Sequence, residues 1–151
     1  MSLPSKAIAC ENPNKQEETD TLRALHAWCK DNDDAVVLYM HTKGASRRTQ
    51  YTDDWRHLME FFCIHQWENC INHLMLGESE IQPPSDIVGV NWQEHTSMGW
   101  HPHFSGGFWW ATADYIASLS DEYFNEPNRY WREFWIGTGD PIVTNLWESN
   151  L

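Results

Sequence analysis

The chain has 151 residues, a formal net charge of −12, ten tryptophans and 14% aromatic residues. This length suits one domain around one hydrophobic core. The acidic charge argues against a nucleic-acid partner, which needs a basic patch, and no apolar stretch approaches the ~18 residues of a membrane span.

The four cysteines, Cys10, Cys29, Cys63 and Cys70, contain no Cys-x-x-Cys pair. Disulfide-dense scaffolds are smaller and richer in cysteine, so we predict reduced thiols and a cytoplasmic location. Structural zinc is a weaker alternative, because two cysteines and two histidines share one predicted helix without the spacing of a zinc finger. No metal ligand is therefore predicted.

Apolar periodicity predicts alternating helices and strands, which is the pattern of an α/β sheet. The predicted elements are a helix over about 17–30, a buried parallel strand over 35–40, a long helix over about 53–76, a strand over 86–91, and short helices over about 112–120 and 129–136. Thr52 or Asp53 is expected to cap the long helix, and Gly77 is expected to end it.

A cationic segment follows the first predicted strand. His41, Thr42, Lys43 and Gly44 come directly off its carboxyl end, where ligands gather in open α/β sheets, and Arg47 lies close by. Strand alternation places His41 and Lys43 on the same side, which favours a cradle for a diphosphate with Thr42 as a further hydroxyl donor. The alternative is a basic loop whose charges only balance those of nearby acidic side chains.

A second segment places two glycines inside a run of aromatic residues. It reads His103-Phe104-Ser105-Gly106-Gly107-Phe108-Trp109-Trp110-Ala111. Paired glycines let the backbone take positive φ or approach a ligand closely. The pattern favours a turn that binds a flat ligand with polar edges, such as a sugar. The alternative is a tight turn whose aromatic residues are buried in the hydrophobic core.

Glu133 is surrounded in sequence by Trp131, Phe134 and Trp135. A carboxylate in such surroundings is a candidate general base. The alternative is an exposed ion pair with Arg129, four residues earlier on the same helical face.

The chain resembles a known family in three segments, which read VLYMHTKGAS, HFSGGFWWATADYI and RYWREFWIG. The chain resembles, over about 12–147, the GT-A-type glycosyltransferases of viral and bacterial polysaccharide assembly, which carry an HTKG or HTKK strand end and an HFSGNFWWA motif. The resemblance implies a nucleotide-diphospho-sugar transferase fold. The expected architecture is a single α/β domain over 1–151, a shortened GT-A-like mixed sheet flanked by helices.

The resemblance also implies an activity, which is transfer of a hexosyl or deoxyhexosyl group from a nucleotide-sugar donor to a hydroxyl of a glycan acceptor. His41, Thr42, Lys43 and Gly44 match the position of the DxD metal motif, so these residues with Arg47 would meet the diphosphate. Lysine would neutralise it in place of a metal, and the alternative is a divalent cation cofactor, Mn²⁺ or Mg²⁺. Glu133 matches the catalytic carboxylate. In the family, one turn lines the donor sugar and the acceptor. The residues that match this turn are His103, Phe104, Ser105, Gly106, Phe108 and Trp109. The sugar pocket would be shaped by Phe108, Trp109 and Trp110.

Three features depart from the family pattern. Gly107 replaces the usual asparagine, so one sugar-binding hydrogen bond is expected to be lost, and no DxD follows the strand. A GT-A domain begins with a βαβ half that binds the nucleotide base. The sequence lacks most of this half, so a domain truncated at its N-terminus is expected. The alternative functions are a non-catalytic carbohydrate- or nucleotide-sugar-binding remnant and a zinc-stabilised interaction module.

Overall fold

The helices of the protein flank a mixed β-sheet. A computed structural model describes residues 18–41, 49–77, 82–94 and 101–148. The α-helices in this part of the chain are Thr19–Lys30 (α1), Gln50–Glu60 (α2), Trp67–Met75 (α3), Ala113–Ser118 (α4) and Trp131–Phe134 (α5). None of them is long and apolar enough to cross a membrane.

The strands form a four-stranded sheet and a separate two-stranded ribbon. They are Val36–Tyr39 (β1), Ile87–Gly89 (β2), Trp92–Gln93 (β3), His103–Phe104 (β4), Trp109–Thr112 (β5) and Val143–Asn145 (β6). The sheet order is β1-β5-β2-β6, and β3 pairs with β4 in the ribbon. β5 is antiparallel to both β1 and β2, whereas β2 and β6 are parallel, so the α/β class with a mixed sheet is confirmed.

The first predicted strand forms as β1, but its predicted parallel pairing is wrong. The partner of β1 is β5, which runs antiparallel to it. Apolar composition identifies a buried strand without fixing the direction of its neighbour. Trp109, Trp110 and Ala111 were assigned to a turn and Thr112 to the following helix, so the strand that separates β1 from β2 was missed.

Strand alternation divides the core between the two faces of the sheet. Tyr39 and Trp109 point to the face that packs against α1 and α4, where Leu22 and Ile116 are also buried. Trp110 points to the opposite face, which the region from α2 to α3 covers. Each side of the sheet therefore has its own apolar cluster.

The predicted long helix is divided into α2, a π-helical turn over Phe61–His65, and α3. The prediction that Thr52 or Asp53 caps the helix is wrong. Thr49 is the N-cap, and it shares a capping box with Thr52, whose amide nitrogen lies 3.2 Å from the Thr49 hydroxyl. Gly77 follows α3 with φ of +69°, which confirms the predicted end.

The π-helical turn leaves a backbone carbonyl available to a neighbouring side chain. The Trp110 indole donates its Nε1 proton to the Cys63 carbonyl oxygen at 2.7 Å. A π-turn shifts the regular hydrogen-bond pattern of a helix, so this bond helps to satisfy the shifted carbonyl. Trp110 thereby anchors β5 to the layer formed by α2 and α3.

His26 gives the fold a dependence on pH. It is 4% exposed, and its ring lies edge-on to Trp135. Burial, helped by the charge of Lys30, lowers the pKa of His26 below 6.5. The unfolded chain therefore binds a proton more readily than the folded protein, so stability falls as pH decreases below about 6.5 towards the folded-state pKa.

We expect His26→Leu to remove this contribution. From pH 7.5 to 5.5 the wild-type free energy of unfolding should fall by up to ~1.4 kcal/mol more than that of the variant. Urea denaturation at the two pH values measures the difference. The matched control is His65→Leu at an exposed position, which should keep the wild-type slope. Equal slopes for wild type and His26→Leu would contradict the assignment.

Candidate functional site

One end of the sheet brings together four segments that are distant in the chain. β1 ends at Tyr39 and β5 begins at Trp109, and these two residues are paired in the register of the sheet. His41 therefore lies beside the Gly106–Gly107 turn that precedes β5. The start of α1 and the helix α5 contribute one glutamate each, as described below.

His41 joins two of these segments to its own through both ring nitrogens. Nε2–H donates to the Gly106 carbonyl oxygen at 2.9 Å, and Nδ1–H donates to the Glu18 carboxylate at 2.8 Å. Both partners are acceptors, so the two bonds form together only when the ring is doubly protonated. The geometry thus describes an imidazolium with Glu18 as its counter-ion, and their side chains are 21% and 26% exposed.

The glycine turn has a backbone that ordinary residues adopt poorly. Gly106 has φ of +105° and Gly107 has φ of +72°. A Cβ atom at Gly107 would lie 2.7 Å from Nε2 of His41, and one at Gly106 would lie 2.5 Å from Sδ of Met59. Asparagine tolerates a φ near +72°, but its Cβ would collide with the His41 ring. The His41 ring thus occupies the space that a side chain at position 107 would need.

Buried aromatic rings form the inner wall of the site. Tyr39 stacks on Trp109 with ring centroids 4.9 Å apart and planes 25° apart. The Tyr39 ring is also nearly parallel to His41, with a centroid distance of 6.1 Å. Tyr39 and Trp109 are only 6% and 3% exposed, so these rings support the site from beneath.

The three aromatic residues predicted to shape a sugar pocket do not share one face. Trp109 lies on the side of Tyr39, whereas Trp110 faces the α2–α3 layer. Phe108 is 2% exposed and packs with Met59, and its ring contacts His41 at a centroid distance of 6.2 Å. The alternation of β5 therefore separates Trp110 from the site and leaves Phe108 behind His41.

Two other predicted residues lie beside the site. His103 is 4% exposed in β4; its Nδ1–H donates to the His101 carbonyl oxygen at 2.9 Å, and its ring packs on Phe134. Ser105 is half-buried, and its backbone N–H donates to the Asn91 carbonyl oxygen at 3.0 Å. Both residues hold the glycine turn between the ribbon and α5.

Glu133 is half-buried on α5, which is tied to the start of α1. Arg132, next to it, donates its Nε–H to the Thr19 hydroxyl at 2.8 Å. Burial, with added effects from the charges of Glu18 and Glu133, raises the pKa of Tyr39 far above its ordinary value. The Arg132–Thr19 bond places α5 beside the start of α1, where Glu18 contacts His41.

The alternative ion pair between Glu133 and Arg129 does not form among the described residues. Arg129 precedes α5, and its guanidinium lies over the Tyr130 ring at 5.1 Å from the centroid. A pairing based on helical spacing requires both residues to be within the helix.

Four predicted site residues, Thr42, Lys43, Gly44 and Arg47, lie outside the residues that the structure describes. Two residues that the sequence analysis did not assign to the site belong to it, namely Glu18 and Tyr39. No local pattern distinguishes Glu18, because its partner His41 is reached only through the fold.

A cavity of about 390 Å³ opens at the same edge of the sheet as His41, further along it. Its lining is Trp92, Gln93, Glu94, Val143, Asn145 and Glu148. These residues follow β2 or belong to β6 and its end, so the cavity lies at the carboxyl ends of β2 and β6, as His41 lies at the carboxyl end of β1. Three strand spacings, about 14 Å, separate β1 from β6.

Metal coordination finds no support among the described residues. No group of three or more His, Cys, Asp or Glu side chains within 18–41, 49–77, 82–94 and 101–148 is arranged to hold an ion. Burial raises the pKa of Cys63 to about 12 and that of Cys70 to about 11, which favours the thiol forms.

A family model described as "Domain of unknown function (DUF8361)" matches residues 4–131. The matched range contains β1, His41, the glycine turn and β5, and it ends two residues before Glu133. No curated protein and no solved structure matches the chain significantly.

A double-mutant cycle tests the contact between His41 and the glycine turn. We expect Gly107→Ala to destabilise the protein, because its Cβ displaces the His41 ring and its φ is unfavourable. In a His41→Ala background the collision is gone and only the backbone strain remains. The cost of Gly107→Ala should therefore be smaller there by ~1 kcal/mol or more, measured by urea denaturation. Additive effects of the two substitutions would refute the contact.

Proposed function

We propose that this chain, which belongs to the family described as Domain of unknown function (DUF8361), is a glycosyltransferase. It moves a hexosyl or deoxyhexosyl group from a nucleotide sugar to a hydroxyl of a glycan acceptor. One observation carries the proposal beyond the motif resemblance: His41 is hydrogen-bonded to Gly106, 65 residues away, at 2.9 Å. The two segments that resemble donor-binding motifs therefore share one end of the sheet.

The mixed sheet supports the finer proposal of a shortened GT-A-like fold. β5 runs antiparallel between β1 and β2, and helices cover both faces. In such sheets ligands bind outside the carboxyl ends of the strands. His41 and the cavity beside β6 both lie along that edge. A cytoplasmic location remains part of the proposal, and the free thiols Cys29, Cys63 and Cys70 are compatible with it.

Positive charge at the tip of β1 would bind the donor diphosphate. His41 is held as an imidazolium by Glu18 and Gly106, and Lys43 follows two residues later in the sequence. Fixed cations stabilise the charge that develops on a leaving diphosphate, and they need no reorganisation during the reaction. Lys43 would supply the main contact, with His41 and Arg47 beside it.

Glu133 would act as the general base. Its carboxylate takes the proton of the acceptor hydroxyl while the hydroxyl oxygen forms a bond to the anomeric carbon of the donor. The bond between that carbon and the diphosphate oxygen breaks, and the electron pair leaves with the diphosphate. This direct displacement inverts the configuration at the anomeric carbon. The hydrogen bond from Arg132, next to Glu133, to Thr19 supports this role, because Glu18 beside Thr19 contacts His41.

The cavity beside β6 suits the acceptor better than the donor. Glu94 and Glu148 line it, and two carboxylates repel a diphosphate. Carboxylates and the Asn145 amide accept and donate hydrogen bonds that match the hydroxyls of a neutral glycan. The donor and the acceptor would thus occupy successive positions along one edge of the sheet.

Replacing Glu133 by glutamine tests the base. We expect Glu133→Gln to lower the transfer rate by about 10²- to 10⁴-fold, because the amide cannot take a proton, and to leave donor affinity unchanged. Product release from UDP- and GDP-sugars with an oligosaccharide panel measures the rate, and calorimetry measures donor affinity. Glu126→Gln, at an exposed position, is the matched control. Wild type that binds donors without forming product would instead identify a sugar-binding protein without transferase activity.

Replacing Lys43 tests the diphosphate contact. We expect Lys43→Ala to weaken nucleotide-sugar binding by about tenfold or more, because a charge-assisted hydrogen bond to phosphate is lost. Calorimetry with the same donors measures the change. Lys30→Ala, at an exposed position on α1, removes an equal charge and should have little effect. Equal donor affinity in Lys43→Ala and wild type would exclude the assigned role.

A further inference from the structure

Asn145 presents a hydrogen-bond donor to the cavity beside β6. It belongs to the lining of this cavity, and its side-chain oxygen Oδ1 accepts a hydrogen bond from the Trp92 backbone N–H at 3.2 Å. A backbone N–H bonds only to an acceptor, so this contact fixes the orientation of the amide and leaves the two protons of Nδ2 for a ligand. No hydrogen bond of Nδ2 forms among the described residues.

The backbone of Asn145 is held in place by the sheet. Asn145 is paired with Gly89 in the parallel register of β2 and β6, and the next residue, Leu146, donates its N–H to the Gly89 carbonyl oxygen at 2.8 Å. A binding group on a fixed strand is positioned more accurately than one on a loop. The amide is therefore a preformed donor, and little conformational freedom is lost when it binds a ligand.

Carboxylates supply the acceptors of the cavity. Glu94 and Glu148 line it, and both side chains are exposed. No ion pair of either glutamate forms within the part of the chain that the structure describes, so no lysine or arginine there balances their charges. A carboxylate accepts hydrogen bonds from hydroxyl groups and repels another anion.

Apolar side chains complete the lining. Trp92 is 9% exposed and packs edge-on against Phe104 with ring centroids 4.9 Å apart, and Val143 is half-buried. Apolar surface beside a few placed polar groups is typical of small-molecule sites, and the volume of about 390 Å³ lies within their usual range of ~300–1,000 Å³. A sugar ring offers both kinds of surface, because it has C–H faces and hydroxyl edges.

We infer that this cavity selects an uncharged sugar unit of the acceptor and excludes sugar acids. One sugar hydroxyl accepts a hydrogen bond from Nδ2 of Asn145, and neighbouring hydroxyls donate to the carboxylates of Glu94 and Glu148. A uronic acid would bring a third carboxylate into the same cavity, where like charges repel. Asn145 then determines the specificity for a hydroxyl group, and the two glutamates exclude anions.

This inference rests on the proposed function and deepens it, because it names the chemical class of the acceptor. Two backbone hydrogen bonds connect the cavity with the glycine turn. Ser105 donates its N–H to the Asn91 carbonyl oxygen at 3.0 Å, and Asn91 donates its own N–H to the Trp147 carbonyl oxygen at 2.8 Å. Asn91 and Trp147 are each followed in the sequence by a residue of the cavity lining. The wall of the cavity therefore continues from the turn that is proposed to bind the donor sugar.

Paired glycosides test the selection by charge. Methyl glycosides of glucose, galactose and mannose are titrated against wild type, each beside the methyl glycoside of its uronic acid, and binding is followed by NMR. We expect at least one neutral glycoside to bind and to shift the side-chain amide signal of Asn145. Its uronic acid should bind about three- to tenfold more weakly, because two carboxylates repel it across a distance that solvent and salt partly screen.

Two variants separate the donor from the charges. Asn145→Asp keeps an acceptor for the Trp92 N–H but removes the Nδ2 protons, so affinity for the neutral glycoside should fall about three- to tenfold. A melting temperature within about 4 °C of wild type shows that this variant is folded. Glu148→Gln removes one charge, so the affinity ratio between the neutral glycoside and its uronic acid should fall about two- to threefold. Glu68→Gln, at an exposed position on α3, removes an equal charge elsewhere and should leave the ratio unchanged.

The opposite results overturn the inference. Equal affinity for neutral glycosides and uronic acids, or no glycoside binding to wild type, means that the cavity does not select an uncharged sugar. Unchanged glycoside affinity in folded Asn145→Asp means that the amide does not contact the ligand, and an unchanged ratio in Glu148→Gln refutes the exclusion of anions even where Asn145→Asp does not fold. Failure of the proposed function is distinguishable, because it appears as absent binding of UDP- and GDP-sugars to wild type while the glycosides still bind.

Discussion

The pair of hydrogen bonds made by His41 is the interaction on which the rest of the site depends. The ring links the end of β1 to the start of α1 through Glu18 and to the glycine turn through Gly106. Neither glycine has a side chain with which to hold the turn in place. The imidazolium therefore fixes the backbone that leads into β5, and a carboxylate is required beside it to balance its charge. Loss of this ring would separate the two motifs that the proposed function requires together.

The alternation of the two central strands decides which residues can take part in the site. Tyr39 and Trp109 share the face that packs against α1 and α4. Trp110 and Leu38 share the opposite face and belong to the apolar cluster near the π-helical turn. Adjacent residues of this aromatic segment thus have different structural roles. Trp109 supports the site, and Trp110 anchors the sheet to the layer formed by α2 and α3.

Much of the fold could be predicted from the sequence, because its helices and strands carry clear apolar periodicity. α1, α4 and β2 form close to their predicted positions. β5 was missed because Trp109, Trp110 and Ala111 belong to the glycine and aromatic motif, which was interpreted as a turn. The antiparallel partner of β1 was missed for the same reason, and no strand was predicted over the three residues of β6.

The site was predictable only where a local motif marked it. His41 and the glycine turn were each found from their own residues, and the structure brings these two together. Glu18 and Tyr39 carry no local signal, because their roles come from contacts formed by folding. Lys43 and Arg47 remain sequence-based predictions, since they lie outside the described residues.

The most direct test of the account follows the ring nitrogens of His41 by ¹⁵N NMR while UDP- and GDP-sugars are added. Before addition, both nitrogens should carry protons at neutral pH, as the two acceptors require. A bound donor should shift these signals and that of the Gly107 amide together. A neutral His41 ring, or donor-dependent shifts confined to residues far from His41 and the glycine turn, would contradict the account.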